Sequence, residues 1–194
     1  MKLIRPAIAL TLVFVVLTGL LFPAAIWGVS QAAFPHQANG SMVVKDGKVV
    51  GSELIGQTFA GPTFFHPRPS AAGSGYDASN SSGTNLGPTN PKLLEGADGF
   101  DGVKQLAMAY RRDNGLAEDV KIPADAVTRS ASGLDPHISP RNAGLQAIRV
   151  AKARGVSLDS IQKLVSECTE APLLGVFGES RVHVLRLNLK LSEK

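Results

Sequence analysis

The sequence predicts an α+β protein: a single N-terminal transmembrane helix followed by a small mixed α/β extracytoplasmic domain. Three observations carry this. The N-terminus is one uncharged apolar run. Helical periodicity recurs three times after residue 98. Short segments joined by a turn pair, and an alternating segment near the C-terminus, supply strands. The chain has 194 residues, 44% of them hydrophobic and 19% charged. It divides into a cytoplasmic stub and membrane helix over residues 1–34 and one body over residues 35–194, long enough to bury a core without staples.

No formal charge falls between Arg5 and Lys45. Within that gap Ala7 to Val29 is interrupted only by Thr11, Thr18, Gly19, Pro23 and Gly28. As a helix these 23 residues span roughly 35 Å, enough for one tilted crossing of a hydrocarbon layer about 30 Å thick. Trp27 suits an interfacial anchor. A cleaved signal peptide is the rival reading, with Ser30-Gln31-Ala32 as a small-x-small site, but the apolar run outlasts an ordinary signal core. Both readings keep Lys2 and Arg5 in the cytoplasm and export the body.

In the body, Met42-Val43-Val44-Lys45 and Lys48-Val49-Val50 flank Asp46-Gly47, the favoured pair for a type I′ hairpin turn. Of the 26 residues from His66 to Pro91, 18 are Gly, Pro, Ser, Thr or Asn. This reads as a long loop, ordered toward its ends, with Ala71 to Ser82 expected to be its mobile part. A first body helix is expected over Asp98 to Asn114, capped by Asp98 and closed by Gly115. Ser139-Pro140 starts the second, with Leu145, Ile148 and Ala151 on its apolar face and Gly155 at its end. Ser157 caps the third, where Leu158, Ile161, Leu164, Val165 and Cys168 recur at helical spacing. Val182 to Leu191 reads as a strand, because Leu185, Leu187, Leu189 and Leu191 alternate with Arg186, Asn188 and Lys190.

Composition excludes several functions. The formal net charge is +4, but Lys2 and Arg5 account for half of it, and aromatic content is 6%. No basic stripe or stacking surface for nucleic acid results. One cysteine, Cys168, excludes a disulfide framework and a CxxC pair. His36, His66, His137 and His183 are scattered, without the spacing of a transition-metal site, so no metal ligand is assigned. Asp135, His137 and Ser139 invite a catalytic triad, but alternate residues of an extended chain lie about 7 Å apart, whereas nucleophile and base need contact. A rigid turn is the better reading: Gly133 supplies an unusual backbone angle, Pro136 and Pro140 fix the chain around His137, and Ser139 caps a helix. Asp135 would accept backbone N–H groups, or at most ligate a cation. The residues alone therefore describe an exported domain with no active site of its own.

Taken together, several stretches resemble the C chain of the Kdp potassium-transporting ATPase, a bacterial P-type pump. They are Leu17-Thr18-Gly19-Leu20, Phe34 to Ser41, Gly51 to Gln57, Phe64 to Ala71, Thr84-Asn85-Leu86-Gly87-Pro88, Ser132-Gly133-Leu134-Asp135-Pro136-His137-Ile138-Ser139-Pro140, the helix around Gln146, Arg149, Val150 and Ala151, and Val184 to Leu189. They cover nearly the whole chain in order. The resemblance implies a single-span subunit of the inner (plasma) membrane. Its partners would be a channel-like potassium-binding subunit, an ATP-hydrolysing P-type subunit and an optional very small fourth subunit, with lipid around the span. It implies an accessory role in ATP-driven potassium uptake, as a catalytic chaperone that raises nucleotide affinity. ATP and potassium would be used by the complex, with no cofactor of the chain's own. Gln146 is the position the resemblance associates with nucleotide. Asn85, Leu86, Gly87, Pro88, Gly133, Leu134, Asp135, Pro136, His137, Ser139 and Pro140 are the expected structural or partner-binding motifs. The charge asymmetry puts the body outside while ATP is inside, which favours an indirect effect on nucleotide. The alternative is an exported or anchored binding domain without a pump.

Overall fold

The computed structural model describes residues 3–193; Lys2, one of the two charges used to orient the span, lies outside them. Two compact units result, Met1–Ser52 and Glu53–Lys194. The chain is α+β.

In the first unit, α1 (Ile4–Val16), a π-helical turn (Leu17–Leu21) and α2 (Phe22–Ala33) form one helix of 30 residues, Ile4–Ala33. It is apolar and long enough to cross a membrane, and its apolar window buries nothing against the rest of the chain. The π turn has a cause in the sequence. Pro23 brings no N–H to the Gly19 carbonyl, and its ring crowds that carbonyl. The turn widens, and the Phe22 N–H reaches back to the Leu17 carbonyl instead. After a short α3 (Pro35–Ala38) come β1 (Met42–Lys45) and β2 (Lys48–Ser52). Lys45 pairs with Lys48 across Asp46 (φ 51°) and Gly47 (φ 74°), the two left-handed residues a type I′ turn requires.

The second unit contains α4 (Pro91–Glu95), α5 (Val103–Asn114), β3 (His137–Ile138), α6 (Pro140–Arg154), α7 (Leu158–Glu167), β4 (Thr169–Glu170), β5 (Arg181–His183) and α8 (Val184–Leu191). Three very short strands make an antiparallel sheet in the order β3-β5-β4. The core gathers Ala143, Ala147 and Val150 of α6, Ile161 and Leu164 of α7, Val182 of β5, Leu187 and Leu191 of α8, and Phe65. Helix ends follow local chemistry. Ser139 and Ser157 accept from the Asn142 and Ser160 N–H groups, and Gly115 and Gly155 close α5 and α6 in left-handed conformation.

Three expectations are corrected. Val184–Leu191 is a helix, and only Arg181–His183 of that segment's neighbourhood is strand. The buried residues Val184, Leu185, Leu187, Asn188 and Leu191 fall at i, i+1, i+3, i+4 and i+7, a helical face. The alternating leucines fit both periods. After Val184 no residue is β-branched, His183 caps the start, and packing decides for the helix. The second correction concerns α6, whose buried face is Asn142, Ala143, Gln146, Ala147, Val150 and Ala151, while Ile148 is 53% exposed. The third concerns α5, which begins at Val103 with Gly102 as N-cap, not at Asp98. Residues 97–100 form a closed turn through reciprocal Ala97 and Phe100 backbone bonds of 3.0 and 2.8 Å. A Cβ on Gly102 would lie 2.4 Å from the Gly96 nitrogen, so the helix starts where that approach ends.

The corrected faces have opposite mutational consequences. Leu187→Ala should cost about 3 kcal/mol, as a large buried side chain leaving a cavity. Ile148→Ala should stay within about 0.5 kcal/mol. Denaturant unfolding of the full chain in detergent checks both, and the reverse ranking would restore the earlier α6 face.

Candidate functional site

The residues singled out by sequence lie in two neighbouring arrangements. The first is an interlock between loop 68–82 and the turn 132–140. Gly133 has φ 69°, and a Cβ there would sit 2.6 Å from the Ser82 carbonyl oxygen and 2.7 Å from the Ala72 nitrogen. Only glycine fits that crossing. Ser70 Oγ donates to the Gly133 carbonyl (2.6 Å) and accepts from the Ala72 and Tyr76 N–H groups (3.1 and 2.9 Å). The Ser82 N–H and Ser81 hydroxyl both donate to the Ser132 carbonyl (3.0 and 2.9 Å), and the Gly56 N–H to that of Leu134 (2.8 Å). The stretch expected to be loose, Ala71 to Ser82, is thus tied at both ends and by Tyr76, whose hydroxyl donates to the Arg68 carbonyl (2.9 Å). Ala72 is fully buried. Burial, then the Asp135 charge, pushes the Tyr76 hydroxyl above its ordinary range.

Asp135 holds the interlock together electrostatically. The Arg68 guanidinium donates to its Oδ2 (2.7 Å) and the His137 N–H to its Oδ1 (2.9 Å). Burial alone would raise its pKa, but the hydrogen bonds from His137 and Arg68 outweigh this and hold it at about 2. The backbone-acceptor role expected of Asp135 is therefore accompanied by an ion pair. His137 places Nδ1 3.6 Å from Asp135 and Nε2 3.8 Å from Glu170, with its ring edge-on to His183 at 5.1 Å. Burial lowers the His183 pKa, and its Nε2 meets the Glu53 carbonyl at 2.9 Å. The Pro136 carbonyl accepts from the Val184 N–H (3.0 Å), tying the turn to the start of α8.

Ser139 faces away from triad chemistry. Its Oγ caps α6 and donates to Asp125 Oδ1 (2.9 Å), while its N–H donates to Asp125 Oδ2 (2.8 Å). Asn142 Nδ2 also donates to Asp125 (2.9 Å). Sequence reasoning missed Asp125. Its signal was the Pro123-Ala124-Asp125 turn, although nothing in the sequence points from it to a cap 14 residues away. A cleft of about 690 Å³ opens here, lined by Arg68, Asp125, Asp135, His137, Arg141 and Arg181 among others.

The second arrangement contains Gln146, which is 1% exposed. Its Oε1 accepts from the His66 N–H (2.7 Å) and Arg149 Nη2 (2.9 Å); its Nε2 donates to the His66 carbonyl (3.0 Å) and Asn142 Oδ1 (2.8 Å). All four hydrogen-bonding positions of the carboxamide are used within the chain. Asn188 treats the preceding residue the same way, accepting from the Phe65 N–H and donating to the Phe65 carbonyl, both at 2.9 Å. Arg149 donates to the Pro62 and Phe64 carbonyls (2.7 and 2.9 Å) and Arg154 to that of Thr63 (2.9 Å). Four polar side chains from two helices thus grip residues 62–66. The stretch Asn85-Leu86-Gly87-Pro88 is not drawn into either arrangement by side-chain bonds among the described residues. Asn85, Gly87 and Pro88 are exposed, Leu86 is half-buried, and Asn85 holds φ 53°. Among the described residues no three His, Cys, Asp or Glu side chains group as a metal ion would need.

A family model for the K+-transporting ATPase c chain, KdpC, matches residues 4–193. The chain belongs to this family. The potassium-transporting ATPase KdpC subunit of Mycobacterium tuberculosis is 52% identical over 186 residues, covering 96% of this chain and 95% of that protein. The KdpC subunit of Caulobacter vibrioides is 54% identical over 192 residues, covering 98% and 93%. That of Caulobacter sp. is 54% identical over 193 residues, again covering 98% and 93%. The chain is thus a KdpC-family protein along its whole length, and both arrangements described above lie inside the matched region.

The interlock makes two predictions. Gly133→Ala should destabilise the protein by at least about 2 kcal/mol, because the methyl group meets two backbone atoms at a positive φ; thermal unfolding checks it, and an unchanged midpoint would show that the crossing yields. Asp135 has a depressed folded pKa, so its contribution is present above its ordinary value of 3.8 and is lost as pH falls toward about 2. Allowing for partial solvent screening, about 1 to 2 kcal/mol of stability should disappear in that window. Asp135→Asn should be less stable at pH 7 and show a flatter acid profile; an unaltered slope would mean that Asp135 is not the group responsible.

Proposed function

We propose that this chain is the accessory subunit of an ATP-driven potassium uptake pump. Its N-terminal helix anchors it in the bacterial inner membrane, with the body outside the cytoplasm. There the body stabilises the assembly of the potassium-binding and ATP-hydrolysing subunits, capping the outer mouth of the former. It raises the nucleotide affinity of the ATP-hydrolysing subunit indirectly, by binding one state of the complex more tightly than another. Family membership over residues 4–193 supports the pump assignment. What supports the indirect route is the state of Gln146: a carboxamide with four internal hydrogen bonds and 1% exposure offers nothing to a nucleotide. Arg5 ahead of the apolar span supports the orientation.

A coupling of 1.4 kcal/mol between docking and nucleotide binding is enough for a tenfold change in ATP affinity. The test uses the whole complex purified in mild detergent with and without this subunit. The expected result is a several-fold higher ATP concentration for half-maximal potassium-stimulated hydrolysis in its absence. A photoreactive ATP analogue should label only the ATP-hydrolysing subunit. Labelling of this chain would establish direct contact and end the indirect mechanism. A cysteine at Ser192 should react with a membrane-impermeant thiol reagent on intact spheroplasts; reaction only after lysis would invert the topology.

A further inference from the structure

Between β4 and β5 the chain makes a small closed hairpin that the packing of the body does not use. The Leu173 N–H donates to the Phe177 carbonyl and the Phe177 N–H to the Leu173 carbonyl, both at 2.9 Å. The Gly175 N–H donates to the Pro172 carbonyl, also at 2.9 Å. The tip is thus built, and it displays its apolar side chains: Leu173 is 71% exposed, Leu174 82%, Val176 77% and Phe177 66%. No charge occurs from Ala171 to Gly178. Leu174 sits at the apex with φ 55°, a conformation that a leucine adopts at a cost. Four adjacent large apolar side chains held open to solvent by a closed turn form a surface that solubility alone would remove.

The surroundings of the tip select its occupant. A membrane-inserting knob is ordinarily ringed by unpaired Lys or Arg for anionic headgroups and by Trp or Tyr for the interface. Here the base carries Glu170 and Glu179. The two arginines nearest the base are committed: Arg181 bonds Glu170 at 3.0 Å, and Arg186 bonds Glu170 at 3.2 Å and Glu53 at 2.7 Å. No Trp or Tyr lies in the segment. The tip also runs directly into Glu179, Ser180 and Arg181, which line one wall of the 690 Å³ mixed-charge cleft. An apolar centre beside a polar rim carrying both signs is the anatomy of a protein interface.

We infer that the hairpin Leu173–Phe177 is a preformed knob by which this subunit docks into an apolar pocket on the outer face of another subunit of the same pump. This rests on the pump assignment. Because the turn closes without a partner, little ordering entropy opposes docking.

The test titrates purified full-length chain into pump complex prepared without it, reading recovery of potassium-stimulated ATPase and co-migration in detergent. If the wild-type chain neither binds nor restores activity, the pump assignment fails, and this inference with it. With wild type binding, Leu174→Gly is the decisive variant. It removes the apex side chain and relieves the positive φ, so its unfolding midpoint in detergent should be unchanged or raised. Its half-saturating concentration should rise at least tenfold, and further in Leu174→Gly/Phe177→Thr. Unchanged half-saturation for both variants would overturn the proposal. A photo-crosslinking residue at position 176 should yield one adduct with a larger subunit of the complex. Adducts with lipid alone would assign the knob to the bilayer and overturn the proposal as well.

Discussion

The body depends on a polar grip around the irregular segment 62–66. Residues 62–66 turn between α6 and α8 without strand partners, and backbone groups withdrawn from water in that way are costly unless they are paired. Gln146 and Asn188 solve this by each presenting a carboxamide that mimics a neighbouring peptide group, one for His66 and one for Phe65. Arg149 and Arg154 take the carbonyls of Pro62, Thr63 and Phe64. With its backbone satisfied, the Phe65 ring can fill the centre of the core at 0% exposure. Removing one carboxamide would strand a donor and an acceptor in the interior, so the helices and the segment are mutually required.

The interlock of loop 68–82 with turn 132–140 follows from that grip. The segment leaves α6 at His66, and Arg68 meets Asp135 two residues later. From there the loop folds over Gly133, where the absence of a side chain lets two backbones cross within bonding distance. A Gly/Ser-rich loop that composition assigns to disorder is thereby ordered by bonds to main-chain carbonyls 50 to 63 residues away. Its serines are ligands for backbone rather than a flexible spacer.

This explains what was legible in the sequence. Features decided by a residue and its immediate neighbours were readable: the Asp46-Gly47 turn, the Ser139 and Ser157 caps, the closing glycines at 115 and 155, and the apolar helix Ile4–Ala33. Features decided by distant partners were not. Asn142 and Gln146 occupy the buried face of α6 because they are satisfied there, so an apolar-periodicity reading moved that face toward Ile148. At Val184–Leu191, alternating leucines satisfied a strand pattern, yet the burial of Asn188 against Phe65 needs the helical one. Asp125 could not be foreseen as the brace of the Ser139 cap, and Gln146 was linked to nucleotide by resemblance, with no local sign of its structural partners.

Rigidity of this kind has a functional consequence on the proposed reading. On that reading the subunit influences the pump through the difference in its binding energy to two states of its partners. A compliant body would deform to follow the partner and lose that difference. A body whose loop, turn and helices are mutually locked cannot, so misfit in one state appears in full as weaker docking. The knob at Leu173–Phe177 extends the same logic to the surface, because its closed turn allows little adjustment to an altered pocket. The apolar helix, by contrast, buries nothing in its own chain and keeps a widened turn at Leu17–Leu21. On the proposed reading its contribution is tethering, which keeps the body at high effective concentration beside the complex.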